Sequence, residues 1–354
     1  MERKQRAGDK ISESEITVVL QGSTLPEYGG KRCIERSALS VRQVMPRCQI
    51  IVSTWEGEDI PQSVQGVVDK VIFNKDPGGS DTGKPGNVNR QLVSSLNGLK
   101  QAQTKYALKM RSDFVMKSTG FLKYFDVYRR FDESYRLFEK RLVCGMSGTA
   151  KPTISYTEPF RVSDFFTFGL KTDLMKLYDI PLVCDEDFFW FTSRQELLTP
   201  RYAGRTARYC AEQDIWIGAL RKHGFDVKCQ YLFHYNDEIA QQSERYVANN
   251  FCPVVFEKAG ILPLKGYLMT RNTPHNFGSK NYGLCYTQRE WQEIYKRWCD
   301  SNFRLALIDW ELFFVFFVHP VHFTSIQIKK LVKLIVGEGR YSWLKAHLKK
   351  AKPA

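Results

Sequence analysis

The sequence contains nine cysteines but no Cys-x-x-Cys pair, which argues against a zinc ribbon. It also lacks a run long enough to cross a bilayer. The longest candidate, Leu305–Val318, is interrupted by Asp309 and Glu311, whereas a spanning helix needs ~20 apolar residues. The first residues, Met1-Glu2-Arg3-Lys4, form no apolar h-region, so no signal peptide is expected. Scattered thiols without an export signal point to a reducing cytosol. No internal repeat or low-complexity tract occurs, which excludes solenoid, collagen-like and coiled-coil chains. Negative charge is in deficit: 52 Lys and Arg face 38 Asp and Glu, a net +14.

The composition is otherwise that of a globular protein, with 354 residues, 43% of them hydrophobic and 25% charged. A chain of this length can bury a core without disulfide or metal staples. The charge excess is uneven. Residues 326–354 hold eight basic residues against Glu338 alone, and such a block reads as a contact for anionic lipid or nucleic acid. No nucleic-acid-binding motif accompanies it, so no nucleic acid is expected as a partner. Ile328, Leu331, Val332 and Ile335 share one helical face there, with Trp343 following. A basic amphipathic helix of this kind either lies on an anionic leaflet or packs on the body. The division expected is a flexible tail (1–14), a catalytic body (15–260), an aromatic-rich accessory region (261–325) and the basic helix (326–354).

Within the body, the apolar runs at 16–20, 49–54, 67–73 and 106–110 read as strands. Helical spacing at 31–45 and 87–103 sets helices between them. This alternation predicts an α/β fold, a three-layer αβα sandwich with a mostly parallel central sheet. Further on, 117–140, 173–178 and 211–223 read as helices, and 142–146, 164–169 and 227–233 as strands.

Ligands of open parallel sheets sit at the carboxyl ends of the strands. That rule points to residues 21–24, 54–57, 74–79 and 111–113. The segment Lys109-Met110-Arg111-Ser112-Asp113 is the most informative. A carboxylate at a strand end can hold Mg²⁺ or Mn²⁺, or Arg111 can pair with phosphate directly; a bland role for Asp113 is a turn or cap residue. Glu212 and Asp214 open a helix, where either complements the helix dipole or acts as a base for an acceptor hydroxyl. His234, expected at a strand end, is a structural residue or an added metal ligand. Asp164 lies among aromatic residues that suit a sugar ring, or that simply form a core strand.

The strings ITVVLQG (16–22), IIVSTWEG (50–57), DPGG (76–79), NVNRQLVSSLNGLKQAQTKYALKMRSDF (87–114), VSDFFTFG (162–169) and AEQDIWIG (211–218) resemble the WavE-type lipopolysaccharide-synthesis family in order and spacing. The resemblance covers roughly residues 14–240. It implies a GT-A-like glycosyltransferase that takes a nucleotide-sugar donor and a glycolipid or oligosaccharide acceptor, in the cytoplasm or peripherally on the inner face of the membrane. Carried over by position, it implies Gln21 and Gly22 at the base and ribose end of a nucleotide, with Thr54 and Glu56 beside them. It implies Asn89 and Arg90 approaching from the helix, Asp113 as the second acid of an Asp-X-Asp metal motif, and Asp164 on a sugar. The sequence departs from that motif, because Arg111 occupies the first acid position, where a guanidinium can take over part of the metal's role. Ala211 stands where the family more often has Pro. Stereochemistry stays open, as do two other readings: a nucleotidyltransferase, or a non-catalytic carbohydrate- or nucleic-acid-binding protein.

Overall fold

The computed structural model describes residues 11–152, 158–199, 202–264 and 285–305. The basic segment 326–354 and residues 306–318 of the Leu305–Val318 run lie outside the described residues.

The chain opens with strand β1 (Ile16–Gln21), helix α1 (Cys33–Val44), β2 (Gln49–Trp55), β3 (Lys70–Asn74), α2 (Val88–Gln101) and β4 (Tyr106–Arg111). The first, second and fourth of these strands are apolar almost without interruption because both faces of the sheet are covered. The short β5 (Phe114–Met116), β6 (Leu142–Gly145), β7 (Phe166–Leu170), α3 (Lys171–Tyr178), α4 (Ala211–Lys222), α5 (Asp237–Asn250), β8 (Phe251–Val254), β9 (Ile261–Pro263) and α6 (Gln288–Trp298) follow.

Seven strands form the main sheet in the order β8-β6-β7-β4-β1-β2-β3. The pairs β4–β1, β1–β2, β2–β3 and β8–β6 are parallel, and β7 runs antiparallel to both its neighbours. From β1 the chain moves outward through α1 to β2; from β3 it returns through α2 to β4, on the other side of β1. Right-handed crossovers therefore set α1 and α2 on opposite faces. The order reverses between β1 and β4, and a crevice at such a reversal is where open α/β sheets bind ligands.

Two expected elements are absent. The segment 117–140 is not a helix but carries short 3₁₀ turns at Gly120–Tyr124 and Glu133–Tyr135. The buried Arg141 guanidinium draws in the carbonyls of Tyr128 and Arg130, both at 2.6 Å, so those carbonyls are spent on a side chain rather than on a helix. Residues 227–233 are not a strand. The Cys229 carbonyl accepts from Tyr209 and Arg221, and the Leu232 carbonyl from Gln213, which leaves no ladder to build. The helices α5 and α6 and strand β8 were not foreseen. Trp291 and Tyr295 of α6 join the core that holds the sheet.

Candidate functional site

The register brings three strand ends level: Gln21 lies opposite Ser53 on one side and Arg111 on the other. Gly22 then turns at φ +110°, a conformation that favours glycine, and its N–H donates to the Ser53 carbonyl at 3.0 Å. Across the crevice the Ser112 N–H donates to the Gln21 carbonyl (3.0 Å) and its hydroxyl to the Ser23 carbonyl (2.9 Å). The side-chain oxygen of Gln21 accepts from Ser94 of α2 at 2.8 Å. Glu58 binds the other side. Its carboxylate accepts from the Ser23, Thr24 and Thr54 hydroxyls and from the Thr24 N–H, which ties the loop after β1 to the end of β2.

A charged group sits beside this crevice. Arg111 grips Asp113 with a two-pronged fork, Nε to one oxygen at 2.9 Å and Nη2 to the other at 2.8 Å, and its guanidinium lies 5.5 Å from the centre of the Phe165 ring. Burial opposes the Arg111 charge, but Asp113, Asp164 and Glu212 around it hold its pKa above the ordinary value. Lys109, two residues earlier on the same strand, is fully buried. It donates to the Asp164 carbonyl and lies over the Tyr178 ring. Burial pushes its pKa down to about 8, against the pull of Asp164. The Asp164 carboxyl is pushed up, first by burial and then by the negative charge of Glu212. Asp164 and Glu212 also line one small cavity with Tyr178 and Trp216, with room for about one water molecule.

Helix α4 separates its two acids. Gln213 points inward and donates to the Pro159 and Leu232 carbonyls at 2.6 and 2.9 Å. Glu212 turns toward Arg161, which donates to it at 2.9 Å, and faces Asp164 and Arg111. Asp214 turns toward Asp187 and Arg208 instead. Burial, then Asp187, push its pKa up to about 8.

A family model described as WavE lipopolysaccharide synthesis matches residues 16–334. The chain belongs to this family. No curated protein is significantly similar to it. Among solved structures it is similar to a 4-diphosphocytidyl-2C-methyl-D-erythritol synthase from Anaerococcus prevotii, at 15% identity over 60% of this chain and 100% of that one, TM-score 0.31. It is also similar to the apo-form glycosyltransferase GlyE of Streptococcus pneumoniae, at 15% identity over 84% of this chain and 61% of that one, TM-score 0.31. A third is an active-site mutant of LgtC, at 9% identity over 79% of this chain and 94% of that one, TM-score 0.34.

In this WavE-family chain the expected site residues divide. Gln21, Gly22, Thr54, Arg111, Asp113, Asp164 and Glu212 gather at or beside the crevice, whereas Lys109 is fully buried within its strand and does not reach a ligand there. Glu56 does not join them in holding the loop. It is exposed, and Glu58, two residues on, makes the contacts; nothing in the string Glu56-Gly57-Glu58 marks which acid turns inward. Asn89 is buried and spent on the backbone of Val183, donating to its carbonyl at 2.9 Å and accepting from its N–H at 2.8 Å. Arg90 is bound to Asp76 and Asp81 and holds the 76–81 loop rather than facing the crevice freely. Arg161, missed in the sequence, orients Glu212. His234 does not stand beside Asp113 as a metal ligand. Its Nδ1 accepts from the Gln230 N–H at 3.1 Å, its ring stacks on Tyr231, and burial lowers its pKa. The residues present do not suit a divalent cation: the Arg111 guanidinium already neutralises Asp113, and among the described residues no three His, Cys, Asp or Glu side chains converge.

Proposed function

We propose that this chain transfers a sugar from a nucleotide-sugar donor to a lipopolysaccharide or capsular polysaccharide precursor, on a GT-A-like fold. The observation that carries the reading is the gathering of Arg111, Asp113, Asp164 and Glu212 beside the crevice where the strand order reverses. Membership of a lipopolysaccharide-synthesis family supports it.

Glycosyl transfer passes through an oxocarbenium-like transition state. The bond from the anomeric carbon to the diphosphate oxygen breaks, and its electrons leave with the nucleoside diphosphate. Arg111 faces that growing negative charge. The acceptor hydroxyl oxygen bonds to the anomeric carbon and its proton passes to a carboxylate. Glu212 is the acid assigned here, because it faces Arg111 and Asp164 whereas Asp214 faces Asp187 and Arg208. Asp164 accepts hydrogen bonds from sugar hydroxyls. The acceptor is a glycolipid at an anionic inner membrane surface, reached through the basic segment 326–354.

The test incubates the full chain with uridine-, cytidine-, guanosine- and adenosine-diphosphate sugars and lipid-linked acceptor glycans, and reads product mass. A gain of one sugar with release of the nucleoside diphosphate is expected. A gain of a nucleotide identifies a nucleotidyltransferase instead, and no turnover by folded protein across the panel overturns the reading.

A further inference from the structure

The position of Asp113 invites a divalent cation, and its geometry argues against one. A Mg²⁺ site needs several oxygen ligands around the ion at roughly 2.0–2.1 Å, and a carboxylate that already neutralises a guanidinium offers a second cation little attraction. Both Asp113 oxygens already accept from Arg111, at 2.9 and 2.8 Å. A planar fork of this kind is among the stronger charge-assisted contacts. Displacing it would leave the guanidinium, held between Asp113 and Phe165, next to a second positive charge. The neighbouring Glu212 is engaged as well, accepting from Arg161.

The same contacts build a fixed cation. Asp113 aligns the guanidinium through Nε and Nη2, Phe165 backs its face, and the Arg111 side chain keeps 35% of its surface accessible. Nη1 has no hydrogen-bond acceptor among the described residues, so one edge of the fork is available to an anion. That edge belongs to the strand end opposite Gln21, on the rim of the crevice. Arg90 is less available because Asp76 and Asp81 hold it, and Lys109 is sealed inside.

We propose that the site binds the diphosphate of its donor through Arg111, aligned by Asp113, and needs no divalent cation. The diphosphate part rests on the glycosyltransferase reading; the absence of a cation site does not.

Two measurements separate them. In the first, Mn²⁺ alone is titrated into the full chain and free Mn²⁺ is followed by electron paramagnetic resonance. The wild type is expected to leave Mn²⁺ free, and Arg111→Asp, which restores a pair of acids two residues apart, is expected to take up one equivalent. One Mn²⁺ bound per wild-type chain and lost in Asp113→Asn overturns the proposal. In the second, UDP, CDP, GDP and ADP are titrated by calorimetry in EDTA and in Mn²⁺. Affinity for whichever nucleotide binds is expected to agree within about twofold between the buffers, to fall at least tenfold in Arg111→Ala, and to recover in part in Arg111→Lys. Binding seen only with Mn²⁺ overturns the proposal and leaves the glycosyltransferase reading intact. Failure of all four nucleotides in both buffers overturns the glycosyltransferase reading and the anion site together.

Discussion

Lys109 is a lysine fully enclosed in the middle of a central strand, with the Asp164 carbonyl as acceptor and the Tyr178 ring below it. Its folded pKa of about 8 lies under that of the unfolded chain. From about pH 8 upward the unfolded chain therefore holds a proton that the folded chain has released, and stability rises with pH through that window. Lys109→Met removes the effect. The stability of wild type relative to Lys109→Met is expected to rise by roughly 2 kcal/mol from pH 8 to pH 10, read from urea midpoints at both values; a difference independent of pH would show that the lysine is not buried as described. The two acids of α4 make a second test. Glu212→Gln, which keeps the shape and removes the charge facing Arg111 and Asp164, is expected to lower kcat by about a hundredfold or more. Asp214→Asn, on the Asp187 and Arg208 side, is expected to lower it by less than about tenfold. Equal losses would end the distinction between them. Nothing in the string Glu212-Gln213-Asp214 reveals this division. It follows from a contact between Arg161 and Glu212, 51 residues apart, and such pairings are made by the fold.

At the scale of elements, the approach of α2 to the sheet depends on one missing side chain. A Cβ on Gly98 would lie 2.3 Å from a methyl of Val19 and 3.3 Å from the Ser53 Cβ. Gly98→Ala must push the helix away from β1 and β2, and is expected to cost about 1–3 kcal/mol by the overpacking it forces, measured by thermal or urea unfolding; a stabilised variant would contradict the close packing. The loop between β3 and α2 depends on Arg90 in the same way. Arg90→Met frees Asp76 and Asp81 and is expected to speed amide exchange over residues 76–83 at least about tenfold, since local openings track the contacts that close a segment. The strands β1 and β2 were readable in sequence because buried parallel strands are written as near-continuous apolar runs, and β4 because Lys109 alone breaks the run from Tyr106 to Met110. β3 was placed early, at 67–73, because Val67 and Val68 lie in the turn before it. Helix α5 was not readable because polar residues fill its buried face: Ser243, Asn249 and Asn250 accept from the backbone of Phe160, Asp132 and Leu137, each at 2.7 Å. Hydropathy spacing cannot register a buried position filled by a satisfied amide or hydroxyl.

Across the whole molecule, the reversal in strand order gives the sheet one crevice, and the charge distribution gives the chain one strongly basic end. The excess of +14 is weighted toward residues 326–354, where eight basic residues face a single acid. Among the described residues no helix is long and apolar enough to cross a membrane. For contact with a lipid surface the sequence of the basic end offers its charge and the apolar residues Ile328, Leu331, Val332 and Ile335. Each basic residue near an anionic leaflet is worth about 1 kcal/mol. The full chain is therefore expected to sediment with phosphatidylglycerol-rich vesicles at low salt and to leave them as salt screens the attraction. Replacing Lys329, Lys330 and Lys333 together by Gln removes about 3 kcal/mol, roughly a hundredfold in partitioning, while the fold and any nucleotide binding at Arg111 persist. Equal binding to phosphatidylcholine vesicles, or a triple variant that still sediments like wild type, would assign the basic end to packing against the body. The acceptor would then have to reach the crevice without help from a membrane-bound enzyme.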